Sequence, residues 1–529
     1  MLVSIFNDVI GPVMRGPSSS HCAAALRIGR LALDIMDGSF EEVLVEFDRE
    51  GSLPTTHESQ GSDMGLFGGL MGWDAADERL PDSHQILLGT GVKIRIETVD
   101  VGDPHPNTYR LTLKRGAESH FVKAISTGGG MMEVEEVDGF KVSMFGDCRE
   151  TLFWGEGDGK GLAAKLGKLV NADAILVHGS AKGYLVEVKA SEFVGEEVVA
   201  DVSSEFGVKL VRRLAPVLPV LSSKETRVPF TTAEEMFAYD GDKNTPLWKL
   251  AAEYEGMRGN LSEEEVVAKM VEIVRILRRS IAQGIAGTTY EDRVLGHQSG
   301  RFNELMQAGK LLNGGALNRA ILYVTALMEM KSSMGVIVAA PTAGACAALP
   351  GVVIAMAEEM KLGEEEMAKA MLASGLIGVF VTTRWTFAAE VGGCQAEGGS
   401  ASSMAAAALV NMAGGTLKQA MSAASMAFQS MLGLICDPIA NRVEAPCLGK
   451  NVIAASNAIS AANMALADFD ALIPLDQVIE TAKQVGKQMP RELRCTSLGG
   501  LSITPASLAI EKKLADRKAA ACGKSCSCG

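Results

Sequence analysis

Positive charge is what this sequence has too little of. It sets 50 Lys and Arg against 64 Asp and Glu, a formal net charge of −14, and no long Lys/Arg run concentrates what there is. Nucleic-acid binding needs a basic stripe, so the expected partners are small molecules. The opening residues, MLVSIFNDVIGPVMRG, place nothing basic ahead of the apolar positions and reach Asp8 early. They do not read as a signal peptide, and the chain is expected to stay in the cytoplasm. Cysteine is also sparse: ten in 529 residues, three of them within the last eight. That excludes a disulfide framework and points to metal or redox chemistry in a reducing compartment. Two stretches, Met334–Ala357 and Gly398–Leu417, carry no charge. The first contains Pro341, Gly344 and Pro350 and the second is largely Ala, Ser and Gly, so both read as segments buried in protein and not as membrane spans.

A chain of 529 residues exceeds one ordinary core and should divide. The expected class is α+β: an N-terminal mixed α/β domain over 1–156, a small α+β module over 157–222, an all-helical domain over 223–515, and a Cys-rich tail over 516–529. Val92–Glu97 and Tyr109–Lys114 alternate strictly and read as half-buried strands. GPSSSH, Gly16–His21, reads as a loop entering a helix. Ser18, Ser19 and Ser20 could cap that helix, and its free N–H groups would attract an anion such as a carboxylate. AILVHGS and GYLVEVKAS look strand-like, EEVVADVSSEF helical, and SSKETRVPF from Ser222 a linker. Ser262–Glu265 forms a capping box ahead of an apolar face of Val266, Met270, Ile273, Val274, Leu277 and Ile281. Val452, Ala455, Ile459, Ala462 and Leu466 mark a helix beginning shortly after Cys447.

Cys394, Cys436 and Cys447 lie in GGCQAEGGS, LICDPIANRV and EAPCLGKN, beside residues that shape loops. A lone cysteine on a helix face is usually core. Three in loops read as a joint metal site, for which zinc is one occupant. With GPSSSH, APTAGAC at Ala340–Cys346, GCQAEGGSASSMAAA from Gly393, and CDPIANRVEAPC at Cys436–Cys447, the chain resembles the iron–sulfur-dependent L-serine dehydratases over most of its length. The resemblance implies a β-type domain over 1–156 carrying the GPSSSH loop, a helical catalytic domain, and a middle module reminiscent of the amino-acid-binding ACT domain. It implies a 4Fe-4S cluster on Cys394, Cys436 and Cys447, with Cys528 of the tail as a displaceable fourth ligand. Three protein thiolates would leave one iron open to act as a Lewis acid.

The expected reaction is loss of water and then ammonia from L-serine to give pyruvate, with L-threonine or another β-hydroxy amino acid as the alternative. Ser18, Ser19, Ser20 and Thr342 would orient the substrate, Gln60, Lys450 and Asn451 would meet it, and His21 and His57 are the candidate bases. The expected partner is a small-molecule amino acid, with no nucleic acid and no membrane, in a homodimer. Two positions depart from the family pattern. Gln60-Gly-Ser-Asp63 stands where HGTD is usual, with His57 three residues earlier, and Cys495 in LRCTSLGG stands where relatives commonly have glutamate. Cys495 reads either as a further thiol near the metal or as a neutral core replacement; Cys346 reads as a small core side chain, and His105 has no assigned role. The rivals differ in kind. An electron carrier would complete the cluster with Cys495 or Cys528, an amino-acid sensor would keep GPSSSH without iron, and a pyridoxal-phosphate enzyme would need a Schiff-base lysine and phosphate cradle that do not stand out.

Overall fold

Alternation in the first third of the chain builds a six-stranded mixed sheet. A computed structural model describes residues 2–180 and 183–525. The strands are β1 (Glu42–Asp48), β2 (Lys93–Val99), β3 (Thr108–Arg115), β4 (Glu118–Gly128), β5 (Met131–Val137) and β6 (Phe140–Met144). They lie in the order β2-β1-β3-β4-β5-β6. β1 and β2 run parallel and the other neighbours antiparallel. Tyr109, Leu111 and Leu113 of β3 are fully buried while Lys114 is exposed, as period-2 patterning requires. The covering helices are α1 (Ala24–Ile35) and α2 (Ser62–Leu70). They cross closely because Gly69 lies against the Leu26 carbonyl, where a Cβ would come within 2.0 Å of the oxygen.

A second sheet holds β7 (Arg149–Gly155), β8 (Ala174–Ser180), β9 (Gly183–Ala190) and β10 (Val208–Leu214), with helices α3 (Gly159–Leu169) and α4 (Glu196–Phe206). Its order is β10-β7-β9-β8, wholly antiparallel. The chain sequence βαββαβ is the ferredoxin-like arrangement. Both expected strands and the expected helix are present, and β7, ahead of residue 157, is a central strand of the same sheet.

From Ala233 onward the chain is essentially helical, so the class is α+β as expected. The main helices are α5 (Leu247–Gly259), α6 (Glu263–Ala286), α7 (Ala316–Ser332), α8 (Ala348–Glu359), α9 (Glu364–Arg384), α10 (Ser400–Met412), α11 (Leu417–Gln429), α12 (Cys447–Leu466), α13 (Leu475–Gln488) and α14 (Pro505–Ser525). The Ser262–Glu265 capping box forms, and Val266, Met270, Val274, Leu277 and Ile281 are buried along α6. In α12 the deepest face is not the expected one: Val452, Ile459 and Leu466 are only half-buried, while Ala454, Ala458, Ala461 and Ala465 go inside. Alanine lets α8, α10 and α11 approach the site closely. α8 up to Ala357 and the whole of α10 lie within the two charge-free stretches and are buried almost throughout. Among the described residues one helix, α9, is long and apolar enough to cross a membrane, and 78% of its most apolar window is buried in the protein.

The amino terminus is pinned into the helical part by buried charge. Glu255 of α5 accepts from Ser4 Oγ and, at 2.7 Å, from the Ile5 amide. Arg258 donates to the Leu2 and Leu221 carbonyls and to Ser222 Oγ. Burial lifts Glu255 from 4.5 to about 7 and Asp8 from 3.8 to about 6. Both folded-state values exceed the unfolded ones, so the protonated forms favour folding. That stability is complete below the unfolded values and is lost as pH rises through 6 to 7. For Glu255 alone the loss is about 3 kcal/mol. Denaturant titrations from the unfolded values up through this window are expected to show the decline, and Glu255→Gln, at a fixed pH-independent cost, to remove the share that Glu255 contributes.

Candidate active site

Each cysteine of the candidate centre is set in place by a different local device. Cys394 follows the short helix Ala389–Gly392 and precedes a wide π-type turn, Gln395–Gly399, that opens α10. Gln395 fixes that turn, its Nε2 donating to the Ala482 carbonyl and its Oε1 accepting from the Gly433 amide just ahead of Cys436. Cys436 makes a short parallel bridge with the strand bearing Cys495: its amide donates to the Leu493 carbonyl at 2.9 Å, and the Cys495 amide to the Cys436 carbonyl at 3.2 Å. Cys495 takes a left-handed conformation, φ 58°, to turn its thiol inward. Cys447 is the first residue of α12.

All four thiols are buried, between 4% and 6% exposed. Cys436 hydrogen-bonds to both Cys394 and Cys495, and these contacts, ahead of burial, push its thiol well above the ordinary value. Burial raises Cys447 to about 12, with Cys394 pushing the same way and Lys331 and Lys450 opposing. For Cys495 the bond with Cys436 pulls down, but burial and the carboxyls of Glu390 and Glu397 leave it raised. Lys450 is the local cation: its Nζ donates to the Ile435 carbonyl and Asp437 Oδ1 at 2.7 Å and lies 3.7 Å from Cys394 Sγ. Burial works against its ammonium, but the cysteines and Asp437 outweigh that and hold its pKa up. Among the described residues no group of three or more His, Cys, Asp or Glu is arranged to hold a metal ion. The donor chemistry nonetheless fits a soft centre, since an all-sulfur set beside a lysine suits iron–sulfur or zinc.

The serine turn meets this centre. Ser19 Oγ accepts from the Ala343 amide at 3.1 Å, and Ser20 Oγ donates to Glu390 Oε1 at 3.2 Å. The expected capping role is not what Ser18 does: it makes no side-chain cap bond, and its hydroxyl pairs with His21 Nδ1 at 3.0 Å instead. The histidine, present three residues on, competes successfully for that hydroxyl. His21 is fully buried with Nε2 2.9 Å from Thr56 Oγ1. Because Thr56 already donates to the Ser52 carbonyl, Nε2 must carry the proton, leaving Nδ1 as a lone pair 3.4 Å from Glu390. Burial lowers the pKa of His21, against the pull of Glu390. His57 sits apart from that pair, 2.8 Å from Asp63 and stacked on Phe47. Burial opposes its charge, but the Asp63 hydrogen bond raises it.

Thr342 Oγ1 accepts from the Ala345 amide and donates to Glu397 Oε1 at 2.7 Å. Gly344 is needed there, since a Cβ would come within 2.8 Å of the Glu397 carboxyl. Burial lifts Glu397 to about 7. Asn451 spends both ends of its amide on backbone, donating to the Gly344 and Cys447 carbonyls and accepting from the Ala347 and Ala348 amides. It welds the APTAGAC bend to the start of α12. Gln60 Nε2 lies 3.6 Å from Cys495 Sγ, so the two departures from the family pattern face each other. Cys346 is buried as a core side chain. Cys528 lies outside the described residues. Sequence reading missed Glu390, Glu397 and Lys331; Glu397 stood in the quoted GGCQAEGGS and Glu390 two residues ahead of it, where only their carboxyls amid small residues could have flagged them.

Diamide takes two electrons from a thiol pair, so treating the reduced, metal-free protein should join Cys436 to Cys394 or Cys495 and leave Cys22, Cys148 and Cys346 as thiols. Peptide mapping reads this out, and pairs scattered over all cysteines would reject the convergence.

Residues 242–502, holding Cys394, Cys436, Cys447 and Cys495, match the model of the family described as serine dehydratase alpha chain. The chain is 38% identical over 253 residues to the probable L-serine dehydratase alpha chain of Bacillus subtilis, covering 48% of this chain and 84% of that one. To the L-serine dehydratase alpha chain of Peptoniphilus asaccharolyticus it is 37% identical over 272 residues, 51% of this chain and 93% of that one. With L-serine dehydratase TdcG of Escherichia coli the identity is 40% over 185 residues, 34% and 40% of the two chains. Matched over nearly the whole of two such alpha chains, and through the segment that gathers its four buried thiols, the chain belongs to the serine dehydratase alpha-chain family of lyases.

Proposed function

We propose that the protein is an L-serine ammonia-lyase, converting L-serine to pyruvate and ammonia with a 4Fe-4S cluster held by Cys394, Cys436 and Cys447. The observation that carries this reading is the meeting of Cys394, Cys436 and Cys495 with the serine turn and the Thr342–Glu397 pair in one buried place, Cys447 acting electrostatically with Cys394. When bound, such a cluster supplies Lewis-acid polarisation of the substrate β-hydroxyl. The chain's own residues do the rest. Ser18, Ser19 and Ser20 shape the entrance turn, and Lys450 balances thiolate charge. Thr342 aims the Glu397 carboxyl, which takes the substrate α-proton while the β-hydroxide leaves. The released 2-aminoacrylate tautomerises to an imine and is hydrolysed by water. His21, with an unprotonated Nδ1, is the second proton acceptor, and His57 is a rim residue. The free thiols among the described cysteines support a reducing, cytoplasmic setting, and we assign the active form as a homodimer.

Purified without oxygen, the protein is expected to be brown, to contain iron and sulfide, and to release pyruvate from L-serine, with colour and activity both lost in air. A colourless zinc protein would discard the cluster; colour without turnover of L-serine or L-threonine would favour an electron carrier.

A Glu397 lifted to about 7 must be ionised to accept a proton, so kcat/KM should rise with pH through that value. Glu397→Gln should lower kcat by about 100-fold or more with KM little changed, and should abolish this limb of the profile.

A further inference from the structure

Two opposite charges near the thiols are buried without a full set of partners. Lys331, in the last turn of α7, is 0% exposed, and among the described residues its Nζ finds no hydrogen-bond partner. Its acidic neighbours are engaged elsewhere. Glu444 accepts from the Val294 and Leu295 amides, Glu329 from Ser299 Oγ and the Gln298 amide, and Glu397 from Thr342. Glu390 is 5% exposed; Oε1 takes the Ser20 hydroxyl, but Oε2 has no partner among the described residues. A buried ion without a counter-ion is costly and persists where a ligand supplies the missing charge.

We infer that Lys331 Nζ and Glu390 Oε2 are the two jaws of an α-amino-acid clamp, Lys331 taking the substrate carboxylate and Glu390 its ammonium. The inference rests on the amino-acid reading above and names the residues that enforce it. A zwitterion carries both charges on one carbon, so both jaws must face one point. Glu397 marks it: the hydrogen-bonded run from Glu390 to Ser20, from Ser19 to Ala343 and from Thr342 to Glu397 places the Glu390 carboxyl beside it, and Lys331 acts on the same carboxyl. The α-carbon held between the jaws then presents its proton to Glu397. Glu390 lies 3.4 Å from His21, which puts the ammonium jaw on the serine-turn side.

Half-substrates separate the jaws. 3-Hydroxypropionate keeps the carboxylate and hydroxyl, and ethanolamine the ammonium and hydroxyl. Calorimetric titration of the anaerobic holoenzyme, with iron and sulfide counted in each sample, reads binding without turnover. Lys331→Met is expected to weaken 3-hydroxypropionate by about 100-fold and to leave ethanolamine within about 3-fold; Glu390→Gln is expected to do the reverse. Because Lys331→Met removes an unpartnered buried charge, its melting temperature should equal or exceed that of the wild type. A lower melting temperature would make Lys331 a structural support, and loss of iron would make it a counter-ion for the metal centre; either overturns the clamp, as do equal effects on both probes. If the wild type turns over serine while the variants fail to discriminate, the clamp alone falls. If the iron-loaded wild type binds neither probe and leaves serine untouched, the functional reading falls with it.

Discussion

Hydrogen bonds across one seam hold this molecule's candidate site together. On one side are the serine turn and the Leu53–Gln60 segment; on the other are the APTAGAC bend, the Glu390–Cys394 turn and the Cys436–Cys495 bridge. Ser19 to Ala343, Ser20 to Glu390, Gln60 to Asn441 and Asn441 to Thr55 cross it. All of these groups but Thr55 are buried. A buried polar group that loses its partner costs about 1–3 kcal/mol, so the two sides cannot separate or slide without several such losses at once. The rigidity required of a site that must hold charges in fixed relation therefore comes from partner satisfaction as much as from apolar packing.

Small side chains make that satisfaction possible. Gly344 lets the Glu397 carboxyl reach the bend, and the alanines of α12 let three other helices close on the centre. Bulky apolar residues would have given more burial per residue, yet would have kept the backbones apart and the polar groups unmet. The same economy explains the charge-free stretches. They are enclosed by protein, and their lack of charge follows from depth in the fold.

Local pattern was legible in the sequence to the extent that its cause is local. The β3 alternation and the Ser262–Glu265 capping box depend on residues within one element, and both form where their spacing places them. The cysteine loops were legible because Gly and Pro advertise turns. What was not legible depends on distance along the chain. Lys331 sits in MEMKSSMG, an unremarkable helix end, and only the fold shows that its amine is buried without a partner. Ser18 looked like a cap because a cap is the commonest local use of serine at a helix entrance; His21 offered the hydroxyl a better acceptor. Asn451 looked like a group free to meet substrate, but its amide is fully engaged with four backbone groups, three of them over 100 residues away by number.

The two departures from the family pattern were read separately, and the structure makes them one feature. Gln60 and Cys495, 435 residues apart in sequence, touch. Where relatives carry a histidine and a glutamate, an ionisable pair is available, of opposite sign when both are charged; an amide facing a thiol is neutral. The exchange removes one charge of each sign, so it leaves the net charge of the site intact while removing a proton donor and acceptor from that wall. Exchanging only one of the two would have left a buried charge facing a neutral group, the costly arrangement. The paired change therefore satisfies electrostatics locally.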